Sequence, residues 1–110
     1  MAMRAAIIAR YNNRAMTPLF TVYESARADK RFVAIFEDGE RVNFGQRDAQ
    51  TFVDGASEAK KNAYLARHGA AGARENWEDI RTPGALSRWI LWGDSRDLAE
   101  NVRKLGGALG

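Results

Sequence analysis

The sequence predicts an α+β domain: a small antiparallel three-stranded sheet (about 19–24, 32–36 and 41–45) followed by three helices (about 57–68, 83–92 and 95–105). Three observations carry that prediction. Segments rich in β-branched and aromatic residues precede the helix-like ones, an order that argues against alternating βαβ units. Asp38-Gly39 lies between two apolar runs, which is a strong short-range hairpin signal. Thr82–Gly93, TPGALSRWILWG, holds two of the three tryptophans between a helix start signal and a helix stop signal.

Residues 1–18 read as a basic N-terminal arm and 19–110 as a single domain; 110 residues leave no length for a second one. Within 1–16 a short helix would place Ile7, Ile8 and Tyr11 opposite Arg10 and Arg14, with Asn12-Asn13 and Thr17-Pro18 as breakers. Leu19–Glu24 reads as the first strand, Phe32–Phe36 as the second and Arg41–Phe44 as the return. A two-residue turn at Asp38-Gly39 pairs Glu37 with Glu40, Ile35 with Val42, and Val33 with Phe44. Side chains alternate across a strand, so Val33, Ile35, Val42 and Phe44 form the expected core face. Thr51–Val53 is either a short strand or a loop plugged into the core by Phe52.

Asp54 or Ser57 caps the first helix, which runs to His68 and stops at Gly69. Tyr64 anchors its thin apolar stripe. In the second helix Thr82 is the cap, Pro83 fits the first turn, and Gly93 supplies a left-handed stop. Leu86, Trp89 and Ile90 fall on one face, widened by Trp92. With each Trp able to bury on the order of 200 Å², this helix is the expected keystone of the core, joined by Trp77 from a preceding turn. Arg88 must find a partner there, and a carboxylate in Glu75–Asp79 is the expected one. Asp94 or Ser95 caps the last helix, and Gly106-Gly107 ends it.

Charge is unevenly placed. The chain has 17 Lys and Arg against 14 Asp and Glu, and residues 1–23 contribute three Arg and no acid. The rest is therefore neutral, fourteen against fourteen. A folded surface that grips phosphates is usually basic throughout, so the pI of about 9.6 argues only weakly for nucleic acid. Mitochondrial presequences share an acid-free, Arg-bearing start, but Thr17 and Thr21 are too few hydroxyls for one. No apolar run approaches the roughly 20 residues that span a bilayer. The absence of cysteine excludes disulfides and thiolate sites and suits a reducing compartment.

Candidate chemistry is thin. His68 is the only histidine and stands beside Arg67 at a helix C-terminus, where cations are favoured; a cap or partner contact outweighs a general base or metal ligand. Glu75, Glu78 and Asp79 read as a solvated turn around Trp77. Ser57, Ser87 and Ser95 lack an arranged His and acid. No P-loop or dinucleotide glycine pattern occurs. Lys60, Lys61, Arg67 and Arg74, near Tyr64 and Trp77, form a basic and aromatic mixture of the kind that contacts single strands. These observations predict no catalytic residue, metal or cofactor.

Three blocks resemble a known family when taken together: FVAIFEDGERVNFG (Phe32–Gly45), YLARHG (Tyr64–Gly69) and ENWEDIRTPGALSRWILWG (Glu75–Gly93). They resemble a family of small, functionally uncharacterised proteins of nucleocytoplasmic large DNA viruses, including algal and amoebal giant viruses. The matching positions are Phe44-Gly45, Tyr64, Arg67-His68, Asn76-Trp77 and Ser87–Trp92. Gln46-Arg47-Asp48 departs from the Asp-Tyr expected after Phe-Gly, and GAAGAR (69–74) is longer than expected. The resemblance implies no activity. It implies a non-enzymatic minor capsid or virion-associated protein, in the virion or host cytoplasm, that contacts other subunits of a large assembly. Its expected contact residues are Arg4, Arg10, Tyr11, Arg14, Lys60, Lys61, Arg67 and His68. The alternative is a nucleic-acid-binding module using the arm and the Lys60–Arg67 helix.

Overall fold

The computed structural model describes residues 17–69 and 75–110. Arg4, Arg10, Tyr11 and Arg14, and with them nearly all of the expected arm, lie outside the described residues, as does most of GAAGAR. The class is α+β: a mixed four-stranded sheet carries helices on one face. Strands β1 (Phe20–Glu24), β2 (Lys30–Phe36) and β3 (Arg41–Gln46) form the antiparallel part. A fourth strand, β4 (Gly107–Leu109), corrects the three-strand expectation: it pairs parallel to β1 and gives the order β3-β2-β1-β4. Gly106-Gly107 does end the last helix, but the chain then enters the sheet, with Leu19 N–H donating to Gly106 O and Gly110 N–H to Val22 O.

The hairpin register also differs from the expected one. Phe32 faces Phe44, Ala34 faces Val42, and Ile35 faces Arg41. The turn has three residues, not two. Gly39 N–H donates to Phe36 O and Phe36 N–H to Glu40 O, with Gly39 at φ 93°. A turn closed by a left-handed glycine is the common three-residue hairpin connection. The added residue moves β2 by one position against β3, and a one-residue slip exchanges its faces. Phe32, Ala34 and Phe36 therefore join Val42 and Phe44 on the core face, and Val33 and Ile35 do not. Val33 is nevertheless buried on the opposite face, while Ile35 is half-buried.

The core is this face plus the helices. Phe20, Val22, Ala34, Phe36, Val42 and Phe44 pack with Phe52, Tyr64, Leu86, Ile90, Leu91, Trp92 and Val102. The Phe20 and Phe36 rings lie 5.3 Å apart and those of Phe32 and Phe44 5.8 Å. Phe52 opens a 3-10 turn (Phe52–Asp54) and is buried, the loop plug among the two alternatives. Helix α1 (Glu58–His68) is capped by Ser57, whose Oγ accepts from Lys60 N–H.

Helix α2 (Pro83–Leu86) starts at the Thr82 cap and passes without a break into a π-helical segment (Ser87–Leu91) closed by Trp92 N–H to Ser87 O. The wider turn brings Ile90, Leu91 and Trp92 all into the core. Trp89 and Trp77 are only half-buried, so the keystone is Leu86, Ile90, Leu91 and Trp92. Gly93 is not left-handed: the space beside it is filled by Asn101, which a Cβ would meet at 2.8 Å. The last helix, α3 (Leu98–Lys104), is shorter than expected and capped by Asp97, not Asp94 or Ser95. Ser95 instead is held by Asn101. The buried Asn101 side chain donates to Ile90 O and Ser95 O and accepts from Ser95 N–H.

Candidate functional site

Helical periodicity assembles one wall of a cleft. Lys60, Tyr64, Arg67 and His68 stand at i, i+4, i+7 and i+8 of α1, hence on one face, and all four line a cleft of about 620 Å³. Lys30 and Gln46, at adjoining ends of β2 and β3, line it as well. Asp48 and Thr51 come from the loop after β3, and Gly84, Ser87, Leu91 and Trp92 from α2 and its π-helical continuation. The volume lies in the range of small-ligand sites.

The aromatic side of the cleft is fixed by stacking. Tyr64 lies between His68, 4.4 Å away, and Trp92, 4.5 Å away. Burial, aided by the Glu75 carboxylate, pushes the Tyr64 hydroxyl up to about 12, against the opposing pull of Arg88 and Arg67. Tyr64 is thus a neutral phenol at any physiological pH.

Glu75 fixes the histidine. One carboxylate oxygen accepts from Trp77 Nε1 at 3.0 Å and the other pairs with His68 Nδ1 at 3.0 Å. Glu75 N–H also donates to His68 O, closing the 69–74 connection at its base. With Nδ1 committed to the carboxylate, Nε2 is the ring nitrogen without a partner among the described residues. Gly84 makes this possible, because a Cβ there would sit 2.8 Å from the Glu75 carboxyl.

Arg88 departs from expectation. Among the described residues it meets no carboxylate; its guanidinium lies over the Trp89 ring at 4.3 Å and the Trp77 ring at 5.3 Å, and donates to Trp92 O. Its Nε has no hydrogen-bond partner among the described residues. Burial lowers its pKa, with Asp94 and Tyr64 opposing. The tie between the Trp77 turn and the Trp89 helix is made by these contacts and by Trp89 Nε1 donating to Trp77 O at 2.7 Å.

Of the residues expected to contact partners, Lys60, Arg67 and His68 line the cleft, and Lys61 does not. Lys61 donates to Gly93 O and lies over the Phe52 ring, a structural position. Lys30, Asp48, Glu75 and Gly84 were not anticipated. The α1 spacing was visible in the sequence; the meeting of Glu75 with His68 across a loop without propensity was not.

Most described cations are already engaged. Arg27, Arg31, Arg81 and Lys104 pair with carboxylates, and Arg47, Lys61, Arg88 and Arg96 donate to backbone carbonyls. Lys30, Lys60 and Arg67 make no such contact within the described residues, and all three line the cleft. Arg41 and Arg103 share that state but lie exposed elsewhere. Among the described residues no three His, Asp or Glu side chains are grouped to hold a metal ion, and no helix is long and apolar enough to cross a membrane.

Fold and site together define a small α+β domain with a cationic, aromatic-walled cleft. The chain belongs to an uncharacterised family of giant-virus proteins: residues 20–68 match the profile described as Family of unknown function (DUF5754), and an uncharacterised protein of Acanthamoeba polyphaga mimivirus is 36% identical over 89 residues, 74% of this chain and 89% of that protein. The profile match covers β1 through α1, one wall of the cleft, and stops short of α2. No solved structure matches the chain.

Proposed function

We propose that this chain is a non-enzymatic interaction protein of a large DNA virus whose cleft holds single-stranded nucleic acid. The observation that carries this reading is the convergence of Lys30, Lys60 and Arg67, cations without protein partners among the described residues, on the cleft that Tyr64 and His68 also line. Phosphate groups are the anions such cations meet on nucleic acid, and binding of this kind weakens steeply with salt. A short labelled single strand should bind at about 50 mM salt, with log affinity falling linearly against log salt. Replacing Lys60 or Arg67 by Ala should flatten that slope by about 0.7 for each phosphate no longer neutralised. No binding at about 50 mM salt rejects the reading.

The second reading is a minor capsid or virion-associated protein that contacts neighbouring subunits, in the virion or host cytoplasm. It is favoured by the relationship to a mimivirus protein and by the acid-free, Arg-bearing start of the chain. The aromatic anchors lend it less support, because Trp92 stacks on Tyr64 and Trp77 and Trp89 flank Arg88. Detection of the chain in purified particles, cross-linked to a neighbour through residues 1–18, is the outcome that would favour it.

A further inference from the structure

We infer that the cleft is a site for a phosphate monoester, the phosphorylated end of a strand or a free nucleotide, rather than for the internal phosphodiesters of a continuous strand. This rests on the proposed nucleic-acid reading of the cleft and narrows it.

Surfaces that bind continuous single strands lay cations and stacking rings along a track several nucleotides long. Here Lys30, Lys60 and Arg67 converge from β2 and α1 on one cleft of about 620 Å³, with α2 and the loop after β3 forming its other sides. That volume suits a single small ligand. Tyr64 and Trp92 are buried in their own stack, so they support the wall and offer little ring face to a run of bases.

Charge points the same way. An internal phosphodiester carries one negative charge, whereas a monoester carries about −1.5 to −2 near pH 7. Lys30, Lys60 and Arg67 outnumber the two carboxylates of the cleft, Asp48 and Glu75, and the more highly charged monoester gains more from that excess. His68, oriented by Glu75 and stacked on Tyr64, adds a ring nitrogen held in a fixed position. Arg67 supplies a planar fork suited to two phosphate oxygens at once.

The test uses the full chain and two labelled single strands of one sequence, one 5′-phosphorylated and one 5′-hydroxyl, at one salt concentration, with a 5′-mononucleotide as competitor. The phosphorylated strand should bind at least about tenfold more tightly. Arg67→Ala and Lys60→Ala should erase most of that difference; both residues are exposed, so a circular dichroism spectrum like that of the parent is expected to accompany the loss. Displacement by the mononucleotide identifies the monoester itself as the recognised group. Equal affinity for the two strands overturns the inference and leaves the strand-binding reading standing. Binding of the mononucleotide with no strand binding supports the inference and overturns that reading. Absence of binding by all three overturns both.

Discussion

His68 and Glu75 meet at 3.0 Å across the base of a connection built of glycine, alanine and arginine alone. The carboxylate divides its oxygens between His68 Nδ1 and Trp77 Nε1, so one side chain orients the cleft histidine and anchors the turn before α2. Glu75→Ala removes the acceptor from two partly buried donors. Unfolding in denaturant should show a loss of about 1–3 kcal/mol, with Glu75→Gln losing less because it keeps an acceptor oxygen.

Gly84 gives a test in which the sign of the effect is informative. Intrinsic helix propensity alone would make Gly84→Ala stabilising by up to about 1 kcal/mol. The Glu75 carboxyl occupies the space a Cβ would need, and it can swing aside only by giving up its bonds to His68 and Trp77, a loss of about 1–3 kcal/mol. Thermal unfolding should therefore show a lower midpoint for Gly84→Ala. A raised midpoint would mean that the Glu75 carboxylate yields to the Cβ at little cost and that its bonds to His68 and Trp77 contribute little to stability.

Gly39 holds the hairpin loop at φ 93°. A residue with a Cβ is destabilised by roughly 1–2 kcal/mol in that region, and Asn less than Ala because it tolerates left-handed backbone. The expected order of stability by denaturant titration is glycine, then asparagine, then alanine at position 39.

Asp54 links stability to acid. Burial pushes its carboxyl up, but hydrogen bonds from Arg31 and from Thr51 outweigh burial and hold it at about 2. Its folded value lies below its unfolded one, so its contribution is fully present above about pH 4 and is lost as pH falls through about 2. Allowing for solvent screening, that contribution is about 1–2 kcal/mol. Asp54→Asn should lower stability at neutral pH and flatten the stability profile between about pH 4 and 2.

Asn101 is expected to be the most sensitive polar position. Its amide satisfies backbone groups of Ile90 and Ser95 inside the core, and Asn101→Ala should cost about 2–4 kcal/mol by orphaning them and leaving a void. Equilibrium unfolding measures it directly. An effect under about 0.5 kcal/mol, typical of a surface site, would contradict the burial of this side chain.

Local chemistry in the sequence was enough to place β1 to β3, α1 and the start of α2. Ser57 and Thr82 are caps with the apolar spacing that should follow them, and both accept from the N–H three residues on. What escaped reading depended on distant or single-residue geometry. β4 is three residues beginning with glycine, stabilised by β1 rather than by propensity. The π-helical turn at Ser87–Leu91 has no sequence signature separate from an α-helix. In the cleft, α1 displays its cationic spacing in the sequence, while Lys30 arrives through sheet pairing and Glu75 through loop closure. Arg88 illustrates the limit of charge-pairing logic, since flanking indole rings take the place of the expected carboxylate.

The three-residue connection between β2 and β3 acts as a parity bit for the whole sheet. With it, Phe32, Ala34 and Phe36 belong to the interior; a two-residue turn in the same sequence would slip β2 by one position against β3, send them out and bring Arg31, Val33 and Ile35 in. Arg31 would then lose Asp54, and a guanidinium would stand where a phenylalanine ring now packs. A surface turn thus decides which half of a strand counts as core.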